Sequence, residues 1–387
     1  FGEVRRDGPD GLETIIQYDT ANRLEFMQRG WANDFPVLAA SFTYNGIGLL
    51  TDVGERKTYE YDDAHRLTRI EHKTPGGTTR LRLDYTYTAD DLPETITEYG
   101  PGGTMTADVE FTYDSRRRLI HEVRMTYDGT PGYNLAYEYD AGGNRTKKVD
   151  NLAQTEVRYH YDLEDPQGYG SKNNRLMFYK EFDTTQPPTE PGDPGALVST
   201  TWYYYHYGED GKSTGNVERV VTMEELLPTT YQSVLMHYGR NARTVTNVVG
   251  ETWEWDGAAS CVPAIDYDRT FATEFRYDGP RQRYLTRALN PATLQPYGND
   301  GDSWTDYDGD EPYGDFSIDA LLHNKQSFEP GLGRFGWLST NEPDENTKSY
   351  YHTDHLGTIR GVTDFLAYWT EAMTFTAFGE RIVGTQN

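Results

Sequence analysis

The most acidic stretch of the sequence carries oxygen ligands at alternate positions, a pattern that suits Ca²⁺. Its acids include Asp306, Asp308 and Asp310. The stretch does not match an EF-hand loop that starts at Asp306, because Glu311 stands where the loop needs Gly and Ser317 stands where it needs the final Glu. Two alternatives therefore remain, an irregular Ca²⁺ site and a solvated acidic loop, and the sequence favours the loop.

A second group of candidate ligands is formed by His352, Asp354 and His355, which lie within four residues of one another. Imidazole and carboxylate side chains are common ligands of transition metals. The alternative, which the sequence favours, is that Asp354 and Gly357 form a hairpin turn and that the histidines pack beside tyrosines.

Nucleophilic catalysis finds no support in the sequence. The remaining histidines have no Ser, Cys or acidic partner at a motif spacing. The single cysteine, Cys261, has no CxxC partner, so a buried thiol is favoured over a reactive one. We therefore expect this segment to be non-enzymatic and to need no cofactor, with Ca²⁺ as the one candidate ion.

Aromatic side chains next to carboxylates offer a different chemistry, because Tyr and Trp rings stack on sugar rings. The run from Trp202 to Tyr207 has this composition. The same residues are those that pack across neighbouring strands of a sheet, and the sequence favours this packing role, with glycan contact as an additional possibility.

Charge and composition exclude other classes of function. The chain has 36 Lys and Arg against 62 Asp and Glu, for a formal charge of −26, so it lacks the basic clusters that bind nucleic acid. No apolar run approaches the ~18 residues that a membrane-spanning helix needs. Aromatic residues make up 14% of the chain, which argues against disorder and for a folded protein.

A repeat places these residues on strands and turns. A tyrosine recurs in the context aromatic, any residue, Tyr, then Asp or a polar substitute, and four of the nine intervals are 26 residues long. The repeat tyrosines are Tyr18, Tyr44, Tyr61, Tyr87, Tyr113, Tyr139, Tyr161, Tyr207, Tyr238 and Tyr277.

Each repeat unit predicts a strand, a tight turn and a returning strand. Before the turn, apolar Val109, Phe111 and Tyr113 alternate with polar residues, which is the pattern of a half-exposed strand. In the turn after Tyr139, we expect Gly142 and Gly143 to adopt backbone conformations closed to β-branched residues. Ten such units predict about twenty strands in one extended, curled antiparallel sheet of an all-β protein. Short helices are predicted only at 222–227 and 317–326.

The repeats resemble the YD repeats of the RHS family, which includes the C subunits of insecticidal toxin complexes and the teneurins. The segment YYHTDHLGTIRGVTD resembles the RHS-associated core signature. The signature residues are Tyr350, Tyr351, His352, Asp354, His355, Leu356, Gly357, Arg360 and Asp364. The resemblance implies a strip of hairpins that spirals into a hollow shell, which in bacterial members encloses a C-terminal toxic polypeptide released by self-cleavage. The cleavage motif and toxin would lie beyond Asn387.

The resemblance and the composition together predict three regions. Residues 1–290 form the hairpin array, with a Pro- and Gly-rich insertion at about 183–201. Residues 291–349 form an irregular acidic insertion, and 350–387 form the signature segment in truncated form.

We expect a shell section of a larger secreted or surface protein that encloses or presents a toxin-like polypeptide. Its partners would be the rest of a longer RHS chain and the enclosed polypeptide. The alternative is a surface adhesin that binds glycans or proteins without cargo.

Overall fold

The computed structural model describes residues 2–7, 13–30, 36–54, 56–74, 76–161, 174–207, 213–224, 230–238, 244–254, 268–277, 282–297, 302–308, 311–318, 322–329, 333–339, 342–343, 349–364 and 368–382. Only the backbone is described at 6–7, 29–30, 36–39, 206–207, 213–214, 230, 253–254, 306, 308 and the described residues between 311 and 343.

The described residues form 31 β-strands, one 3₁₀ turn at Pro101–Gly103 and no α-helix. The strands are β1 Gly2–Asp7, β2 Glu13–Tyr18, β3 Leu24–Gly30, β4 Pro36–Tyr44, β5 Leu50–Val53, β6 Lys57–Tyr61, β7 Leu67–Lys73, β8 Thr79–Tyr87, β9 Pro93–Tyr99, β10 Met105–Tyr113, β11 Leu119–Thr126, β12 Pro131–Tyr139, β13 Arg145–Asp150, β14 Thr155–Tyr161, β15 Leu176–Asp183, β16 Ala196–Tyr207, β17 Ser213–Glu224, β18 Thr230–Tyr238, β19 Val245–Glu254, β20 Asp268–Tyr277, β21 Arg283–Leu289, β22 Asp302–Asp308, β23 Glu311–Ile318, β24 Leu322–Glu329, β25 Gly333–Ser339, β26 Glu342–Pro343, β27 Ser349–Thr353, β28 Ile359–Asp364, β29 Trp369–Ala372, β30 Thr374–Phe375 and β31 Arg381–Ile382.

The chain divides into two compact units. Unit 1 comprises Phe1–Gly132, Tyr307–Phe316 and Ala320–Asn387, and unit 2 comprises Tyr133–Asp306 and Ser317–Asp319. In unit 1 every strand from β1 to β10 pairs antiparallel with the next strand along the chain. Strands β12 to β21 follow the same rule in unit 2. The predicted array of antiparallel hairpins is confirmed.

The repeat turns that the structure describes share one hydrogen-bond pattern, shown by the turn after Tyr61. The Asp62 amide donates to the Arg66 carbonyl at 3.0 Å, and the His65 amide donates to the Asp62 carbonyl at 2.9 Å. Asp62 Oδ1 also accepts the Arg66 amide at 2.9 Å. His65 has φ of 66°, so the turn contains one left-handed residue and a bulge at its exit. The residue after the repeat tyrosine therefore closes the turn with a side-chain oxygen, which Asn45 and Thr88 supply in the turns that lack Asp.

In the turn after Tyr139, the backbone conformation supports the glycine prediction at Gly143. Gly143 has φ of 91°, a conformation that side chains with a Cβ rarely adopt. Gly142 is not among the residues with positive φ, because the turn places only its fourth residue in the left-handed region.

The apolar core consists of small clusters between neighbouring hairpins. One contains Ile70, Leu83 and Tyr85 in unit 1, and another contains Val249 and Ala272 with Leu289 in unit 2. Such clusters suit a chain in which only 36% of residues are hydrophobic and Tyr is included in that fraction.

Both predicted helices are wrong for the residues that the structure describes. Residues 222–224 belong to β17, and residues 317–318 and 322–326 belong to β23 and β24. The pairing of β17 with β18 gives these residues hydrogen-bonded partners on a neighbouring strand, which overrides weak local helix propensity. Within 291–349, β22 to β26 occupy much of the stretch.

Candidate functional site

The repeat tyrosines lie at the last residue of every second strand, and their hydroxyls connect consecutive hairpins. In unit 1, Tyr87 Oη donates to the Leu67 carbonyl at 2.6 Å. Leu67 lies opposite Tyr61, the preceding repeat tyrosine. The same bond recurs from Tyr44 to Leu24, Tyr61 to Leu50, Tyr113 to Pro93, Tyr161 to Arg145 and Tyr238 to Val217. We call this series the tyrosine ladder.

The ladder contributes stability at every step. A hydrogen bond of this kind stabilises a folded protein by about 1 kcal/mol net. Burial raises the pKa of the Tyr87 phenol, so the hydroxyl stays protonated and able to donate far above neutral pH. Arg66, in the preceding turn, places its guanidinium 4.8 Å from the centre of the Tyr87 ring. Sequence reasoning found the tyrosines but missed the carbonyl acceptor and the arginine.

One position of the ladder differs from the sequence assignment. Tyr205 Oη donates to the Leu176 carbonyl at 2.7 Å, and Leu176 lies opposite Tyr161. Tyr207 is the last residue of β16, paired with Ser213, and its side chain lies outside the described residues. The register of β16 shifts between Tyr204 and Tyr205 and again between Tyr205 and Tyr207, which moves the ladder position by two residues.

The remaining repeat tyrosines hold the same place in their strands. Tyr18, Tyr139 and Tyr277 end β2, β12 and β20, and each pairs with the first residue of the returning strand.

The signature segment forms a turn of the same type as the repeats. The Asp354 amide donates to the Thr358 carbonyl, and Asp354 Oδ1 accepts the amides of Leu356 at 2.9 Å and Thr358 at 3.0 Å. Gly357 is the left-handed residue, with φ of 80°. Thr353 occupies the place of the repeat tyrosine, since it pairs with Ile359 across the bulge. The carboxylate of Asp354 therefore serves the turn.

The strands of unit 1 from β7 to β11 receive the signature segment through four polar contacts. His72 Nε2 donates to the Thr353 carbonyl at 2.8 Å, and the His355 amide donates to Tyr85 Oη at 3.3 Å. The other two contacts join Arg360 Nη2 to Glu98 Oε1 at 2.8 Å and the Ala377 amide to Glu122 Oε2 at 2.9 Å. We call these contacts, with the side chains packed around them, the signature interface.

A buried charge network lies in the signature interface. Glu98 is only 6% exposed, and its two carboxylate oxygens bind different arginines. Oε2 accepts Nε and Nη2 of Arg124, and Oε1 accepts Arg360. Arg360 Nη1 also lies 3.6 Å from Asp354 Oδ2. A buried carboxylate needs such partners, and removing one partner leaves an uncompensated charge.

Two neutral histidines lie face to edge at the other end of the interface. The rings of His72 and His352 are 5.0 Å apart, and the His352 ring is 4.9 Å from Trp369. Burial is the main cause that lowers the pKa of His72 well below 6.5 and that of His352 to about 3, and buried Lys57 adds to both effects. Burial also lowers the pKa of Lys57 to about 8. Both imidazoles are therefore uncharged at neutral pH.

The other signature residues make local contacts. The Arg56 guanidinium lies 3.9 Å from the centre of the Tyr350 ring, and Tyr351 lines a small void next to His352. Asp364 Oδ1 accepts the Tyr368 amide at 2.8 Å. Leu356 is 73% exposed at the tip of the turn.

Among the residues that the structure describes, no three His, Cys, Asp or Glu side chains are grouped as a metal ion would need. Asp310 lies outside the described residues, and the side chains of Asp306 and Asp308 do as well. In the same part of the chain, no helix is long and apolar enough to cross a membrane.

Comparison with known proteins gives matches only among solved structures. No family model matches the chain, and no curated protein matches it. The crystal structure of TcdB2-TccC3 without its hypervariable C-terminal region is matched at 13% identity and a TM-score of 0.44, over 98% of this chain and 17% of that one. The Photorhabdus luminescens Tc holotoxin pore with a TccC3 mutation is matched at 12% identity and a TM-score of 0.31, over 98% and 23%. A porin-like protein from Bacteroides uniformis is matched at 18% identity and a TM-score of 0.23, over 65% and 93%.

The chain thus spans about a sixth of the first matched structure. Its own hairpins, repeat turns and tyrosine ladder define the class of protein, which is an antiparallel β-hairpin repeat protein. In its repeats and its signature segment, the chain resembles the RHS/YD-repeat family.

Proposed function

We propose that this chain is a non-catalytic section of the scaffold of a larger RHS-type protein, and that the scaffold encloses or presents a polypeptide. The observation that supports this most is the tyrosine ladder. Side-chain groups that could do chemistry, such as the Tyr87 hydroxyl and the Asp62 carboxylate, are engaged in joining hairpins and closing turns. A chain that repeats one structural contact many times is suited to building an extended wall.

The signature interface supports the same proposal. The signature segment is separated from β7 by about 280 residues of sequence, yet its Thr353 carbonyl accepts a hydrogen bond from His72. Contacts of this kind join the signature segment to strands β7 to β11 of unit 1. We propose that the segment stabilises the packing of these strands in the scaffold. We also propose that the protein is secreted or displayed at the cell surface.

Enclosure of a polypeptide by the scaffold can be tested by protease protection of the natural full-length protein. We expect polypeptide outside residues 1–387 to resist a nonspecific protease until denaturant unfolds the scaffold. The double variant Tyr87→Phe with Tyr113→Phe removes two ladder hydrogen bonds and should lower the denaturant concentration at which cleavage starts. Tyr127→Phe is the control, since Tyr127 is 74% exposed and outside the ladder. Cleavage of that polypeptide at the rate of the same polypeptide expressed alone would contradict enclosure.

A row of aromatic rings in unit 2 favours glycan or protein binding as a second candidate function. Tyr179 lies between Tyr159 and Tyr203, at ring-centre distances of 5.9 Å and 6.3 Å, and all three rings are partly exposed. Tyrosine rings in such a row can stack on successive sugars. Tyr179→Ala should then abolish binding on a glycan array while the chain stays folded, and an array with no binding by the unaltered chain would contradict this candidate.

A further inference from the structure

A cavity of about 610 Å³ lies in unit 1, next to the signature interface. Its walls come from β8 to β11 and from the strands that follow the signature turn, with Trp369 and Met373 among them. This volume is within the ~300–1,000 Å³ range of small-molecule sites in proteins. None of the contacts that hold the signature segment in place requires an open space of this size.

Two β-bulges border the cavity. In the pairing of β7 with β8, His72 lies opposite Leu81 and Lys73 opposite Thr79, so Arg80 is the extra residue. In the pairing of β9 with β10, Tyr99 lies opposite Met105 and Glu98 opposite Ala107, so Thr106 is the extra residue. A bulge redirects a side chain relative to the regular alternation of the strand, and both Arg80 and Thr106 line the cavity.

The cationic groups of the cavity are not equally neutralised. Arg124 and Arg360 share the carboxylate of Glu98. Arg80, in contrast, has no hydrogen bond or ion pair to any of the described residues, and its Nε is buried without an acceptor. Carboxylates are abundant in a chain with a net charge of −26, yet none of those among the described residues pairs with Arg80.

The rest of the wall is largely apolar. The apolar side chains of Leu81, Leu83, Met105 and Met373 and the Trp369 ring line the cavity, together with the Asp128 carboxylate. Thioether and indole side chains adapt to flat, apolar ligand surfaces. A ligand that uses both parts of the wall would carry an anionic head and an apolar body.

We propose that this cavity binds a small organic carboxylate, whose anionic head pairs with Arg80 and whose apolar body packs against Trp369 and Met373. A guanidinium suits this task because its planar donors match the two oxygens of a carboxylate. The site is independent of any enclosed polypeptide.

The test titrates the 387-residue chain with 4-phenylbutyrate and, separately, with its neutral amide, by isothermal calorimetry. We expect the carboxylate to bind, and Arg80→Gln to raise its Kd at least 10-fold. The amide should bind at least 10-fold more weakly than the carboxylate. Arg5→Gln is the matched control, because it changes the net charge equally at an exposed residue of β1 outside the cavity, and it should leave Kd unchanged. Equal binding of the amide, or an unchanged Kd in Arg80→Gln, would overturn the proposal.

A second measurement needs no variant. With methyl-labelled methionine, the Met105 and Met373 signals should shift on addition of 4-phenylbutyrate, whereas the Met177 signal of unit 2 should not. Inorganic phosphate alone should not reproduce the shifts, because it lacks the apolar body. Absence of shifts at Met105 and Met373 at millimolar ligand, or equal shifts with phosphate, would refute the site.

Discussion

Acidification should loosen the signature interface, because it is built around two histidines that are buried in the neutral form. When the interface opens, His72 and His352 regain their ordinary pKa near 6.5, whereas in the closed state the pKa of His352 is about 3 and that of His72 is also well below 6.5. The open state therefore binds more protons. Its relative stability rises as pH falls below about 6.5 and continues to rise until the pH reaches the pKa values of the closed state.

The size of the effect follows from these pKa shifts. Each histidine changes the closed-to-open free energy by about 1.4 kcal/mol per pH unit in this window. Between its ordinary pKa and pH 5, His352 costs about 2 kcal/mol, and His72 adds a cost of the same sign. The pKa of His355 is lowered by burial as well, so its contribution has the same sign.

The other titrating group near the pair does not change this window. The pKa of Lys57 is lowered by burial to about 8, so the amine is protonated in both states between pH 7 and pH 5. Its burial destabilises the closed state at neutral pH, and this cost decreases only as pH rises above about 8. A stability gain in mild alkali is the corresponding expectation for Lys57.

Hydrogen exchange of the amides in 349–364 measures this opening directly. After correction for the intrinsic pH dependence of exchange, protection should fall by more than about 30-fold from pH 7 to pH 5, because His352 alone accounts for about 2 kcal/mol and His72 adds to the fall. His72→Gln keeps an N–H donor for the Thr353 carbonyl but does not titrate, so the fall should shrink to about 30-fold. His65→Gln, which replaces an exposed turn histidine, is the matched control and should retain the full fall.

A pH-independent protection factor in the unaltered chain would refute this reasoning, because it would mean that the histidines are not neutral and buried in the closed state. An equal fall in His72→Gln would refute the assignment of the effect to this pair.

Three further predictions concern the scaffold, with the urea unfolding midpoint as the measurement. Tyr87→Phe should lower the free energy of unfolding by about 1 kcal/mol, because it removes the hydrogen bond to the Leu67 carbonyl. Tyr127→Phe should leave it nearly unchanged, because Tyr127 is exposed. Equal midpoints for the two variants would contradict the role of the ladder. Gly143→Ala should lower the free energy of unfolding by about 1 kcal/mol. A Cβ at this position meets no atom within 4 Å, so the loss comes only from the positive φ. Gly46→Ala is its control, also with open space but without a positive φ, and an equally large loss there would exclude the conformational cause. Glu98→Gln should cost about 3 kcal/mol because two arginines lose their buried carboxylate, whereas Glu60→Gln at an exposed pair should cost less than about 1 kcal/mol. Similar losses for the two Glu variants would show that the Glu98 network is solvated.

The local pattern was sufficient to predict the hairpins. Tyr-Asp followed by small or polar residues specifies a turn whose Asp closes its own backbone, and alternating aromatics specify the strand before it, as in β10 and β12. Such information is contained in a few neighbouring residues, so it can be read without the rest of the chain. The same local approach failed at 222–224, where pairing with a neighbouring strand decided the structure, and at 317–318 and 322–326, which also lie in strands.

The tertiary structure alone decided what the repeat tyrosines and signature residues do. The sequence indicated that Tyr87 recurs in register with Tyr61, but the acceptor of its hydroxyl is a carbonyl that carries no sequence signal. In β16, where the register shifts, Tyr205 makes a ladder hydrogen bond that the repeat pattern did not indicate.

His352 was a candidate metal ligand because Asp354 and His355 lie close to it in the sequence. Its role follows from His72, which contacts it from 280 residues away, and from the burial that keeps both rings neutral. The period of the repeat and the chemistry of each turn are properties of short segments, and the sequence by itself determined them. The partners of His72 and Glu98 depend on which distant strands the chain brings together, and only the folded structure determines those.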